Sequence, residues 1–296
     1  MKFAHIEKLE KFIRENKLFP DFEGMSEIYE GGSSYNFKIF TKNKTYLLKL
    51  LEHTGNYNRM LFMLERLGDN YPLGINEFDE YKLVAMPFYE GEKLRYNRLS
   101  ADVLRNLSNI YHSVFGSQLA GDNIRPQIMM ENLKKEINDK ISSKTSLGER
   151  LCAFLFWNKI KNNLIKLPPT DNVIHGDFSQ NNILITDDNK LHLIDFDAIR
   201  YGYEIEDFAH NIMQICRFSS LCGSMRKFKE IYTLVNEING KYSSTMWLYG
   251  IQIFYLLSLL RWLDLENNKK KSLYKSLRRI AGLCNYFRIE KFLKTK

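Results

Sequence analysis

Val173-Ile174-His175-Gly176-Asp177-Phe178-Ser179-Gln180-Asn181-Asn182-Ile183-Leu184-Ile185-Thr186-Asp187-Asp188-Asn189-Lys190-Leu191-His192-Leu193-Ile194-Asp195-Phe196-Asp197 is the stretch whose reading decides the fold. It carries a His-Gly-Asp turn, with an asparagine five residues after that aspartate, and ends in an apolar strand that releases two acids. Ile183-Leu184-Ile185 and Leu191-His192-Leu193-Ile194 read as short strands, and Asp187-Asp188-Asn189 between them is turn chemistry. Such a hairpin is expected to hold Asp177, Asn182 and Asp195 around one point.

That trio has the chemistry of phosphoryl transfer. Asn182 and Asp195 offer hard oxygen ligands suited to Mg²⁺, an ion that keeps waters and bridges phosphates. Asp177 stands where a substrate hydroxyl would arrive, ready to accept its proton and orient it for in-line attack. Positioning and charge carry most of such a reaction, so few protein groups are needed. An aspartate, an asparagine five residues on, and a second aspartate after an apolar strand is the spacing of a kinase catalytic loop.

His175-Gly176-Asp177, Asn182 and Ile194-Asp195-Phe196, in that order, resemble the aminoglycoside phosphotransferase/choline kinase family, the small-molecule branch of the protein-kinase-like fold. The resemblance covers roughly residues 26–210. It implies an α+β, bilobal protein-kinase-like fold, with a small antiparallel-sheet lobe (residues 1–87) and a large helical lobe (residues 88–296). It also implies ATP, with GTP as the other candidate donor, Mg²⁺, and a small-molecule hydroxyl as acceptor. Asp177 is then the base, and Asn182 and Asp195 hold metal. Asp197 replaces the glycine of Asp-Phe-Gly; it either adds charge to the metal site or occupies a turn.

Working back toward the N-terminus, Gly31-Gly32-Ser33-Ser34 falls where the family places its nucleotide-covering loop, and small residues there let backbone N–H groups approach phosphate. Lys49 interrupts the apolar strand Thr45–Leu51 and needs an anionic partner if buried. In the resembled fold the equivalent lysine meets the α- and β-phosphates; the alternative is an edge-strand lysine facing solvent. A helix over 58–67 would carry the acid that pairs with it. Glu65 is the only acid in that helix, and its register departs from the family's slot, which falls near Arg59 or Met60. Met86 and Phe88, before Glu90-Gly91-Glu92-Lys93-Leu94, are the expected neighbours of the base.

Toward the C-terminus the periodicity is helical, first over 100–166 and then from Phe208 onward. Asp207 matches the family's Asp-Leu-Ala position and is expected to brace the catalytic loop. Only nine residues separate Asp197 from Asp207, too few for a protein-kinase activation segment, so a peptide platform is not expected.

The net charge of +8 resides in the tail: residues 265–296 carry ten basic and two acidic side chains. A nucleic-acid partner is therefore disfavoured against a terminal helix with a solvated basic face. Cys152, Cys216, Cys222 and Cys284 show no C-x-x-C spacing and read as reduced thiols of a cytoplasmic protein. The most apolar run, Trp247 to Leu260, is broken by Gln252 and reads as a buried helix, so no membrane span is expected. The competing class is a kinase-shaped scaffold, a spore-coat-like pseudokinase with little turnover. Acceptor identity and oligomeric state stay open.

Overall fold

Alternation of apolar and polar residues with period two builds the N-terminal sheet. The computed structural model describes residues 6–28, 35–51, 77–95, 100–115, 126–141, 147–168, 172–216, 218, 223–240, 242–266 and 273–296. The chain divides into two compact units: residues 1–92 with 184–199, and residues 93–183 with 200–296. It thus returns to the first unit for one hairpin, a crossing that no contiguous division of the sequence describes.

In the first unit, α1 (Ile6–Glu15) buries Leu9 and Ile13, one turn apart, on a single face. Strands β1 (Phe22–Ile28), β2 (Tyr35–Thr41), β3 (Thr45–Leu51), β4 (Glu77–Phe78) and β5 (Tyr81–Pro87) form an antiparallel sheet in the order β1-β2-β3-β5-β4. Phe37 and Ile39 of β2, Tyr46, Leu48 and Leu50 of β3, and Leu83 and Ala85 of β5 join Leu9 and Ile13 in one core. β3 is a central strand, paired on both sides, with Asn36 and Val84 opposite Lys49. An edge lysine facing solvent is thereby excluded. After β6 (Glu92–Lys93), the unit is completed by the hairpin residues that follow Ile183 in β8 (Ile183–Ile185) and by β9 (Leu191–Leu193). The hairpin's turn holds Asn189 at φ 61° and closes with Thr186 N donating to Lys190 O at 3.0 Å.

The second unit is helical. In α2 (Ala101–Phe115), Leu104, Leu107, Tyr111 and Val114 are buried along the expected stripe. α3 (Pro126–Lys140) begins on proline, whose missing N–H is no loss at a first helical position. α4 (Leu147–Leu164) buries Ala153, Phe156, Ile160 and Leu164 at helical spacing. A two-stranded ribbon pairs β7 (Val173–Ile174) with β10 (Arg200–Tyr201). It leads into α5 (Glu204–Ile215), which is buried along nearly its whole length. α6 (Met225–Asn239) starts on Ser224, whose hydroxyl accepts from Lys227 N at 3.3 Å, and stops at Gly240 with φ 60°.

α7 (Ser244–Glu266) is the apolar run seen in the sequence, buried on every side through Trp247, Tyr249, Ile251, Leu256 and Leu260. Its interrupting Gln252 is also buried, and two neighbours satisfy it. Asn163 Nδ2 donates to its Oε1 at 2.9 Å, and its Nε2 donates to the Tyr286 hydroxyl at 3.0 Å. Tyr286 lies on α8 (Leu273–Lys294). No helix among the described residues is long and apolar enough to cross a membrane.

Helices α5 and α7 approach closely at Gly250. A Cβ there would lie 2.6 Å from Ile205 O and 3.0 Å from Ala209 Cβ. Backbone cannot retreat as a flexible side chain does, so Gly250→Ala is expected to destabilise by about 1–3 kcal/mol. Urea unfolding followed by circular dichroism measures this; an unchanged midpoint would mean that the two helices do not meet at this residue.

Candidate active site

The His175-Gly176-Asp177 turn follows β7 in the second unit. Gly176 has φ 77°, a conformation that a Cβ resists, so glycine is required between the histidine and the aspartate. The amides of the turn end on Asp207. His175 N donates to Oδ2 at 2.7 Å, Gly176 N to Oδ1 at 2.9 Å, and the Tyr111 hydroxyl of α2 to Oδ2 at 2.8 Å. Asp207 is 1% exposed, and only such donors make a carboxylate tolerable there. Burial pushes its carboxyl upward, while His175 and the Tyr111 hydrogen bond pull it back. Burial and the Asp207 charge hold the Tyr111 hydroxyl well above its ordinary range, so it stays a donor. The bracing role expected of Asp207 is thus met by geometry.

The carbonyl of Asp177 is the next anchor. It accepts from Ser179 N at 2.7 Å and from Asn182 Nδ2 at 2.8 Å. A 3₁₀ turn over Gln180–Asn182 buries Asn182, and with its Nδ2 so engaged the amide presents Oδ1 as its acceptor. The Asp177 side chain is 25% exposed, with His210 Nε2 lying 3.5 Å from Oδ1. His210 is buried against Phe254, their ring centroids 5.4 Å apart. Reading the sequence did not single out His210; its signal was the position one helical turn beyond Asp207. His112 follows Tyr111 but is structural, paired with Glu204 and 3.3 Å from Ser108 Oγ.

The first unit holds the other cluster. Lys49 is 4% exposed, with Nζ 2.7 Å from Asp197 Oδ1 and 2.9 Å from Asp195 Oδ1. Burial by itself would lower its pKa, but the charge of Asp197 and then of Asp195 outweighs this and raises it. The sign follows: the pair stabilises fully below the ordinary lysine range and weakens only as pH climbs through the raised value. Asp195 sits at φ 62°, ψ 66°, a left-handed conformation that costs a non-glycine residue about 1–2 kcal/mol. Strain of that kind is kept where the surrounding structure demands a particular side-chain direction. Asp197 lies on the following 3₁₀ turn, Phe196–Ala198, so the turn expected at Asp197 is present.

Of the remaining expected site residues, Met86 is buried on β5, opposite Leu47. The Phe88 N–H is taken by Thr45 O at 3.0 Å, and Lys38 Nζ sits 4.4 Å from its ring centroid. Any hydrogen bond from this segment to a base therefore comes from groups other than that amide. Gly31, Gly32, Ser33, Ser34 and Glu65 lie outside the described residues.

A family model described as the phosphotransferase enzyme family matches residues 25–220. The chain belongs to that family. Solved structures with the same fold include spectinomycin phosphotransferase APH(9)-Ia in complex with ADP and spectinomycin, at 12% identity and TM-score 0.61, covering 98% of each chain. Another is aminoglycoside phosphotransferase APH(4)-Ia, at 13% identity and TM-score 0.62, covering 96% of this chain and 98% of the other. Choline kinase LicA from Streptococcus pneumoniae matches at 15% identity and TM-score 0.61, over 96% of this chain and 100% of the other. No curated protein matches the sequence. The fold of this family member is therefore protein-kinase-like, as the resemblance implied.

The family implies Mg²⁺, and the donors present suit it. Among the described residues no three His, Cys, Asp or Glu side chains gather into a metal-holding group. Mg²⁺ does not need one, since one or two carboxylates with phosphates and waters suffice.

Replacing Asp207 by Asn would set an amide N–H against a backbone N–H of the turn, with an expected cost of about 3 kcal/mol. Tyr111→Phe removes a single donor and should cost about 1.5–3 kcal/mol. Urea unfolding of both variants checks the ranking; equal, negligible losses would remove Asp207 as the anchor of the loop.

Proposed function

We propose that this phosphotransferase is a small-molecule kinase, transferring the terminal phosphoryl group of ATP or GTP to a hydroxyl of a small acceptor. The observation that carries this is the loop held by Asp207, with Asn182 tied to the Asp177 carbonyl. A scaffold needs that brace for stability too, but it has no need of an aspartate directly after the turn with an asparagine five residues on, the pair that transfer requires. Relatives crystallised with ADP and aminoglycosides, and a choline kinase, support the same class.

In this scheme Asp177 accepts the proton of the acceptor hydroxyl as its oxygen attacks the terminal phosphorus. The bond from that phosphorus to the bridging oxygen breaks, and the nucleoside diphosphate leaves with the electron pair. Asn182 and Asp195 would hold Mg²⁺, which supplies positive charge to the phosphate oxygens. Lys49 pairs with the α- and β-phosphates. By the family resemblance Gly31 to Ser34 would serve the nucleotide phosphates, and Met86 and Phe88 would border the base. Small acceptors are favoured over peptides because only nine residues join Asp197 to Asp207. Aminoglycosides, choline, sugars and amino-acid alcohols are all admissible acceptors.

Nucleotide consumption measured across a panel of these acceptors should rise with one class. Asp177→Asn should keep the thermal stabilisation given by Mg·ATP and lose about 10²–10⁴-fold in turnover. Undiminished turnover in Asp177→Asn would falsify the base assignment. A wild-type melting point indifferent to millimolar Mg·ATP and Mg·GTP would favour the scaffold instead.

A further inference from the structure

Lys49 is buried between two carboxylates, although one would neutralise it. The two are not equivalent. Asp195 has a side chain 48% exposed and a left-handed backbone, whereas the Asp197 side chain is 25% exposed and 0.2 Å closer to Nζ, at 2.7 Å against 2.9 Å. Asp197 is also the better fixed. Its 3₁₀ turn is pinned by Phe196 and Ile199, 4% and 3% exposed, and closed by Ile199 N donating to Phe196 O at 3.3 Å.

We propose that Asp197 is the positioning residue for Lys49, a standing counter-ion that keeps the ammonium aimed when Asp195 turns to the divalent cation. This rests on the kinase assignment above and replaces the expected metal role of Asp197. The electrostatic argument is direct. A buried ammonium left without an anion would not keep its position. A cation that draws on Asp195 removes one of the two anions, and Asp197 remains. In protein kinases a helix glutamate does this work. Here the helix expected over 58–67 offers only Glu65, out of register, while Asp197 already stands at hydrogen-bonding distance. Lysine, its counter-ion and the metal-binding aspartate are then set by one tight turn, because Asp195 and Asp197 are only two residues apart.

A double-mutant cycle separates positioning from ligation. Mg·ADP affinity is measured by titration calorimetry on the full chain as wild type, Asp197→Asn, Lys49→Met and the double variant, each checked by circular dichroism. If Asp197 acts through Lys49, Asp197→Asn weakens Mg·ADP about tenfold in the wild-type background, the equivalent of about 1.4 kcal/mol, and less than about twofold once Lys49 is Met. The same loss in both backgrounds makes Asp197 a metal ligand and overturns the proposal. No loss in either also overturns it. Asp197→Glu, which keeps the charge, should recover most of the affinity and stands in if Asp197→Asn does not fold. In that case an Asp197→Glu affinity as low as that of Lys49→Met overturns the proposal. A wild-type chain that binds neither Mg·ADP nor Mg·GDP rejects the kinase assignment itself, and with it the role of Asp197.

Discussion

The buried carboxylate of Asp207 is the constraint on which the His175-Gly176-Asp177 turn of the second unit depends. Its oxygens accept the amides of His175 and Gly176 and the hydroxyl of Tyr111, from 31 to 96 residues away in sequence. A carboxylate with almost no exposure is tolerable only when such donors replace water. The loop amides, for their part, belong to a turn that makes no regular helix or strand there. Each side thus supplies what the other lacks. Geometry at the carbonyl of Asp177, which Asn182 grips, inherits its precision from that exchange.

The first unit solves an analogous problem with the charges reversed. Lys49 lies on a central strand between Asn36 and Val84, and its ammonium is neutralised from 146 and 148 residues away. Both anchors are therefore non-local pairings between a regular element and the stretch that opened the sequence reading. Such pairings make the functional groups rigid because the elements that carry them are rigid. The left-handed backbone at Asp195 is part of the same arrangement, since it directs one carboxylate while the next turn directs another.

A fold shared with APH(9)-Ia and LicA at only 12% and 15% identity fits this picture. The sheet needs period-two alternation, and the helices need apolar stripes, neither of which prescribes particular residues. Of the side chains proposed for the chemistry, Asp177 and Asn182 lie in the loop, Asp195 follows the hairpin and Lys49 lies on β3.

Local chemistry made much of this legible from the chain alone. Glycine between His175 and Asp177, turn residues at Asp187 to Asn189, and an asparagine five residues after Asp177 each have a short-range cause, so the loop, the hairpin and the family could be read in order. The bracing role of Asp207 came instead from the family resemblance, which places an aspartate at this point near the start of a helix. What the sequence did not contain was which charges meet. Lys49 could have faced solvent until the order β1-β2-β3-β5-β4 made its strand central. Asp197 could have been an ornament of its turn until the fold brought it to that lysine. His210, one helical turn beyond Asp207, had no evident partner until packing set it beside Asp177. Pairing at long range is decided by how whole elements pack, and period and spacing along a chain carry no information about the neighbour across the core.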